Sequence, residues 1–249
     1  IGFLMQYEGL EFLDAVEELA RAAGLEVPRG DQPQPRPETG LYEMLRSCAK
    51  FYVEELRRHP EAVEYLKGRG LSGEVCRDFE IGYAPAGWDG LIRQLGTNPG
   101  RLDLLKQAGM LSTGNSGPYD KFRNRIMIPI RDENGKMAGF GARIVDPNDI
   151  PKFLNSPETP IFTKGHILYG LDRARKPIRI ADQAVIVEGY LDVIALHQAG
   201  YENVVSPMGT ALTEDQLRLL KRSTRRIVLA LDPDTAGQKA VLRGLDAAR

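Results

Sequence analysis

The sequence predicts an α+β chain: a mixed, basic subdomain of helices and a β-hairpin, followed by an α/β module with a Rossmann-like parallel sheet. Three observations carry that reading. Residues 41–108 show helical apolar spacing with repeated capping signals. Two β-rich runs flank Asp132-Glu-Asn-Gly, the composition of a hairpin. From residue 184, short apolar runs alternate with helical segments, the pattern of a parallel sheet with crossover helices.

Taken in order, Leu10, Leu13, Val16, Ala20 and Ala23 lie at helical spacing, and Gly24 suits a C-cap. Pro28-Arg-Gly-Asp-Gln-Pro-Gln-Pro-Arg-Pro reads as a polar linker, so 28–40 separates 1–27 from the main body. Helices are expected over 41–58 and 60–68. Ser72 is an N-cap for a third, with Val75 and Phe79 inward, and Trp88–Leu95 and Leu102–Ala108 give two more. Asn134-Gly135 suits a type I′ turn between 125–131 and 137–145. Lys121, Arg123 and Arg125 alternate, and in a strand they share a face. Ala184-Val-Ile-Val-Glu reads as a buried strand, with Tyr190–Ala199 helical and Gly200 as its stop. Asn203-Val-Val-Ser is a second strand, Thr213-Glu-Asp-Gln a capping box, Arg226–Asp232 a third strand, and Gln238 onward a helix.

Hydrophobic residues make up 42% and charged residues 27%, ordinary for a globular chain, and no apolar run is long enough for a membrane span. Cys48 and Cys76 have no metal-ligand neighbours and read as free thiols of a reducing cytoplasm. The net charge of −1 hides an asymmetry: 1–30 carry six acids and two arginines, whereas 119–179 carry twelve Lys/Arg against seven Asp/Glu. A basic segment in a near-neutral chain points to a polyanion-binding face, against the plainer reading of a solvated surface. Beginning at Ile1 and ending at Arg249 within a helical pattern, the sequence reads as a fragment.

The chemistry concentrates in Glu188, Asp232 and Asp234. Glu188 ends the first strand of the α/β unit, and Asp232 ends the third, with Asp234 following in Asp-Pro-Asp-Thr-Ala-Gly. Parallel sheets bind ligands at the carboxyl ends of their strands. Clustered carboxylates repel unless a proton is shared or a hard divalent cation intervenes, and magnesium is usual where phosphate completes the shell. One such acid alone is more often a helix cap. Neither a Walker A loop nor a Gly-x-Gly-x-x-Gly fingerprint is present, nor a nucleophile elbow. His59, His166 and His197 are scattered, and His197 reads as structural. Glycines beside Arg143 leave room for a close ligand approach.

Val187-Glu-Gly-Tyr-Leu-Asp followed by Asp232-Pro-Asp-Thr-Ala-Gly resembles the Toprim signature shared by bacterial primases, topoisomerases and certain nucleases. Pro151-Lys-Phe-Leu-Asn-Ser-Pro-Glu-Thr-Pro-Ile-Phe-Thr-Lys-Gly, Tyr119-Asp-Lys-Phe-Arg-Asn-Arg, Gly139-Phe-Gly-Ala-Arg, Lys67-Gly-Arg-Gly-Leu-Ser and Ser206-Pro-Met-Gly-Thr narrow it to the bacterial, DnaG-type DNA primases across 41–249. The resemblance implies a basic subdomain over 41–183 and a Toprim module over 184–249. It identifies 1–27 as the tail of a zinc-binding domain whose ligands, and hence Zn2+, lie outside this chain.

The implied activity is synthesis of RNA primers from ribonucleoside triphosphates on a single-stranded DNA template, with Mg2+ or Mn2+ held by Glu188, Asp232 and Asp234. Glu188 is either a ligand or a general base. Arg143, Lys152 and Asn155 are implied contacts for nucleotide or primer–template. Lys164 and Arg69 are further basic candidates, and Asp192, one turn from Glu188, a further acid. Lys121, Arg123 and Arg125 are assigned to the template backbone. The resemblance also implies a replicative helicase as partner through a C-terminal domain outside this chain, a monomeric fragment, and a cytoplasmic place at the replication fork. The competing readings are a Toprim nuclease or topoisomerase and a non-catalytic nucleic-acid-binding module.

Overall fold

A computed structural model describes residues 37–208 and 212–231 of the 249, all within one compact unit that begins at Pro37. Asp232, Asp234, residues 28–36 of the expected linker, the 1–27 segment and the expected helix from Gln238 lie outside the described residues, whereas 37–40, expected as linker, are helical.

Helix α1 (Pro37–Arg58) starts four residues before the expected Leu41. Proline's fixed φ suits a first turn, where its missing N–H is no loss. Leu41, Met44, Leu45, Cys48, Ala49, Tyr52 and Leu56 form its buried stripe, spaced by threes and fours. Helix α2 (Pro60–Gly68) again starts on proline, and α3 (Gly73–Asp78) is capped by Ser72, whose hydroxyl accepts from Val75 N at 3.1 Å. Strand β1 (Gly82–Ala84) follows, then α4 (Gly90–Leu95) and α5 (Pro99–Gln107). Buried Asp120 caps α4 from a distance, accepting from Leu91 N at 2.7 Å and Ile92 N at 3.2 Å.

Strands β2 (Leu111–Gly114) and β3 (Gly117–Asp120) form a separate two-stranded ribbon. Strands β4 (Arg125–Arg131), β5 (Met137–Ile144) and β6 (Phe153–Asn155) join β1 in an antiparallel sheet of order β1-β4-β5-β6. The β4–β5 hairpin is present, but its turn is not type I′. Of Asn134 and Gly135, only Gly135 has positive φ, +78°. Asp132 N donates to Lys136 O at 2.9 Å, which leaves a three-residue loop, and a register shift follows at Ile130/Arg131. The Asp132 carboxylate selects this loop by accepting from Asn134 N and Lys136 N at 2.8 and 2.9 Å. The alternating cations are not in one strand either. The chain leaves β3 at Asp120 and enters β4 only at Arg125, so the period-two argument does not apply between them.

Helix α6 (Leu171–Ala181) leads into the parallel sheet, made of β7 (Ala184–Ile186), β8 (Val204–Val205) and β9 (Ile227–Leu229) in the order β8-β7-β9. Helices α7 (Tyr190–Gln198) and α8 (Glu214–Lys221) supply the crossovers. Gly200 ends α7 with φ +88°, and Thr213 and Gln216 form the expected capping box.

One core joins the two sheets: Ile126, Ile128 and Phe162 pack with Val187, Tyr190, Val193 and Val204. The second face of the antiparallel sheet is covered by α1 and α5, and the second face of the parallel sheet by α6 and α8. At the hairpin tip, Glu133 accepts from Arg175 at 3.0 Å and Arg222 at 3.2 Å, tying the hairpin to the parallel module. Both cysteines are free thiols, and no helix among the described residues is long and apolar enough to cross a membrane.

Candidate active site

Glu188 stands just beyond β7, and the main chain around it is held from both sides. Val187 N donates to Val205 O at 3.0 Å, and Ala230 N donates to Ile186 O at 2.8 Å. Fully buried Ser206 donates its hydroxyl to Glu188 O at 2.7 Å and accepts from Met208 N at 3.1 Å. Ser206 is itself fixed by paired backbone bonds with Tyr169, at 2.8 and 3.1 Å. A buried hydroxyl with all its partners supplied holds a loop rigidly. Register Ile186↔Leu229 brings the ends of β7 and β9 to the same carboxyl edge, from which the chain continues to Asp232 and Asp234.

Asp192 has a structural duty. Its carboxylate accepts from Gly189 N at 3.0 Å and so closes the first turn of α7. Among the described residues no group of three or more His, Cys, Asp or Glu gathers at metal-ligand distance. His197, as expected, is structural. Its Nε2 lies 3.1 Å from Val204 O, its ring meets Phe79 edge-on, and burial lowers its pKa.

The cations from the upstream segment assemble with aromatic rings that the sequence reading did not single out. Across β5–β6, Arg143 faces Phe153, and its guanidinium carbon lies 4.7 Å from the ring centroid. Lys152 Nζ lies 5.8 Å from the same centroid. Arg143 Nε donates to Tyr65 Oη at 2.5 Å, and Arg69 lies 5.5 Å from the Tyr65 centroid. Arg69, Tyr65, Arg143, Phe153 and Lys152 thus form one strip. Cations over rings gain electrostatic attraction while their remaining N–H groups stay available to an anion. Only the adjacency Lys152-Phe153 and the i,i+4 pair Tyr65–Arg69 marked these rings in the sequence.

A second joint links this strip to the acidic edge. Asn155 follows Phe153 by two residues, and Tyr190 follows Glu188 by two. The Asn155 amide lies 2.6 Å from Tyr190 Oη. With the amide turned so that each atom meets a complementary partner, its nitrogen donates to Tyr190 Oη and to Leu154 O (3.2 Å), and its oxygen accepts from Lys164 Nζ at 3.1 Å. Burial pushes the Tyr190 phenol above its ordinary pKa, so it remains a neutral hydroxyl. The Tyr190 ring packs on Gly141, where a Cβ would meet Cε2 and Cζ at 2.6 Å. The space that the glycine-rich strand leaves is therefore filled by the protein's own tyrosine. Lys164 sits in a 3-10 turn (Lys164–His166) clasped by Thr213 and Gln216 of the α8 cap.

The remaining cations divide. Arg123 stacks 3.9 Å from the centroid of Trp88 and 5.1 Å from that of Tyr119, and donates to Asp120 O at 2.6 Å. Trp88 is 60% exposed, so this cluster opens to solvent. Arg125, by contrast, is 6% exposed and donates to Pro151 O at 2.7 Å, and burial lowers its pKa. It braces the approach to β6, and Lys121 is half-buried, its backbone N–H bonded to Met110 O.

A family model described as the DNA primase catalytic core, N-terminal domain, matches residues 51–175, and a Toprim domain model matches residues 182–249. A DNA primase of Pseudomonas putida is 48% identical over 256 residues, covering 99% of this chain and 39% of the relative. The chain thus spans about two fifths of that curated relative's length. Among solved structures, a DnaG primase catalytic domain bound to ssDNA matches with a TM-score of 0.79 at 43% identity, over 86% of this chain and 68% of that one. A DNA primase domain from Pseudomonas aeruginosa matches with a TM-score of 0.78 at 47% identity, over 83% and 66%.

Proposed function

The chain belongs to the DnaG-type DNA primase family, and from that premise we propose that it synthesises short RNA primers from ribonucleoside triphosphates on a single-stranded DNA template. The observation that carries this reading is the joint Asn155–Tyr190, which ties the basic–aromatic strip to the strand edge bearing Glu188. The relative solved with ssDNA supports single-stranded DNA as the template class. In this reading 41–183 form the basic subdomain, 184–249 the Toprim module, and 1–27 the tail of a zinc-binding domain beyond a linker. A replicative helicase is the partner of the parent protein, at the replication fork.

Glu188, Asp232 and Asp234 are the residues that would hold a divalent cation, with magnesium preferred. The donor types fit: three carboxylates supply hard oxygens, and the main chain of Glu188 is held by the Ser206 hydroxyl. When bound, such a cation lowers the pKa of an attacking hydroxyl and offsets negative charge on the phosphates. The chain's own side chains do the rest. Arg143 and Lys152 present cationic N–H groups to the triphosphate or the primer–template phosphates. Lys164 and Asn155 hold polar groups beside Tyr190, two residues after Glu188 in the chain. Arg69 and Arg123 contact the template backbone from the rings of Tyr65 and Trp88, and Lys121 extends that surface. Arg125 acts in this surface by bracing Pro151.

Two predictions follow from the strip. Lys152→Ala is expected to lower incorporation of labelled ribonucleotides on single-stranded DNA at least tenfold or so, since it removes a charge from a phosphate site. Lys152 is exposed, so the melting temperature should stay unchanged. Wild-type synthesis by that variant removes Lys152 from the site. Arg69→Ala is expected to weaken binding of single-stranded DNA about equally across sequences. It should also reduce the slope of log affinity against log salt by about one. An unchanged slope takes Arg69 off the template path. Relaxation or cleavage of plasmid DNA without nucleotides, in place of incorporation, would favour a Toprim nuclease or topoisomerase instead.

A further inference from the structure

Helices α1, α2 and α3 enclose a groove of about 230 Å³ that the site above does not use. Its floor is aliphatic, formed by Val53, Val63, Leu66 and Ile81. Three cations, Arg57, Lys67 and Arg77, line it together with Leu56, Leu71, Gly73 and Cys76, and no acidic side chain takes part. All three are exposed. Lys67 pairs with Glu64 at 2.7 Å, whereas Arg57 and Arg77 have no ion-pair partner among the described residues. Leu66 and Ile81 lie buried at its base and Val53 and Val63 are half-buried, so the apolar surface it opens is small and set inside a charged rim.

The composition restricts the occupant. Nucleic acid would find cations here but no ring on which a base could stack, and the floor offers no donor or acceptor to a base edge. A small organic ligand is poorly served, because the aliphatic floor sets no polar group to orient it and the charges stand on the rim. Apolar anchors flanked by carboxylates satisfy both features at once. An amphipathic helix lays its apolar face in such grooves, and rim charges steer its approach.

We propose that this groove docks an acidic amphipathic peptide segment of a partner protein, inserting large apolar side chains between α1, α2 and α3 and setting carboxylates against Arg57, Lys67 and Arg77. The inference stands apart from the primase chemistry, because none of these residues belongs to the site above.

The test is fluorescence anisotropy of a labelled peptide with leucines at helical spacing between glutamates, titrated with the 249-residue chain. Saturable binding is expected, weakened at least about tenfold by combined Arg57→Glu and Arg77→Glu. These residues are exposed, so the charge reversals should leave the melting temperature and DNA binding intact. A peptide of the same composition with its leucines dispersed should compete poorly. The proposal is overturned by absence of binding, by equal affinity in the double variant, or by equal competition from the dispersed peptide. Displacement of the peptide by oligo-dT would assign the groove to nucleic acid. Self-association lost in the double variant would assign it to a second copy of the chain.

Discussion

Glu188→Gln is expected to reduce primer synthesis by about 10²–10³-fold or more while the fold survives. Gln keeps the size of the side chain and removes its charge. The loop itself is held by main-chain bonds that the substitution leaves alone: Val187 N to Val205 O, and the Ser206 hydroxyl to Glu188 O. What is lost is a hard anionic oxygen donor, and a neutral amide oxygen is a much weaker ligand for a divalent cation facing phosphates. Affinity for single-stranded DNA should hold, because the strip of Arg69, Arg143 and Lys152 is built from α2, β5 and the approach to β6. A variant that binds DNA, melts normally and fails to extend is the expected result. Loss of DNA binding together with synthesis would mean that Glu188 supports the fold or the template surface.

Gly141→Ala is expected to damage both the fold and primer synthesis. The added Cβ would lie 2.6 Å from Cε2 and Cζ of Tyr190, a ring that is 5% exposed and packed edge-on against Tyr169 at 4.9 Å. Neither β5 nor α7 can yield easily, since β5 is paired on both edges and α7 is anchored in the shared core. Overpacking of this kind costs about 1–3 kcal/mol, or several degrees of melting temperature for a domain of this size. Synthesis should fall further than stability does, because displacing Tyr190 breaks its contact with Asn155 and moves the residue two positions after Glu188. Gly68→Ala is the control. Nothing lies within 4 Å of a Cβ there, and it ends a helix, so the same methyl should be neutral or mildly stabilising. Equal melting curves for the two variants would show that Tyr190 gives way freely.

What was legible in the sequence was local. The stripe on α1, the Ser72 cap, the Thr213–Gln216 box and the runs that became β7, β8 and β9 each depend on neighbours within a few residues. Parallel order and a common carboxyl edge followed from the alternation of those runs. Tyr65 and Phe153 were not legible, because their meaning comes from Arg143, which lies 78 residues from Tyr65 along the chain. The glycines before Arg143 signalled a close approach correctly, but the approaching group is Tyr190, from a crossover helix that no local pattern could place. The Lys121–Arg123–Arg125 alternation misled for the converse reason. The period-two rule presumes a continuous strand, and here the chain turns between two sheets, which leaves Arg125 buried against Pro151 and Arg123 on Trp88. Asp132 misled in the same way, since its carboxylate overrode the turn that Asn134-Gly135 alone prefers.

The most direct measurement of the central claim is incorporation of labelled ribonucleotides on a single-stranded DNA template, with and without a divalent cation, by wild type and Glu188→Gln in parallel. Short, template-dependent RNA products that require the cation and vanish in the variant are the predicted result. Incorporation that proceeds in excess chelator, or that Glu188→Gln leaves unchanged, would contradict a carboxylate–metal site at the edge of this sheet.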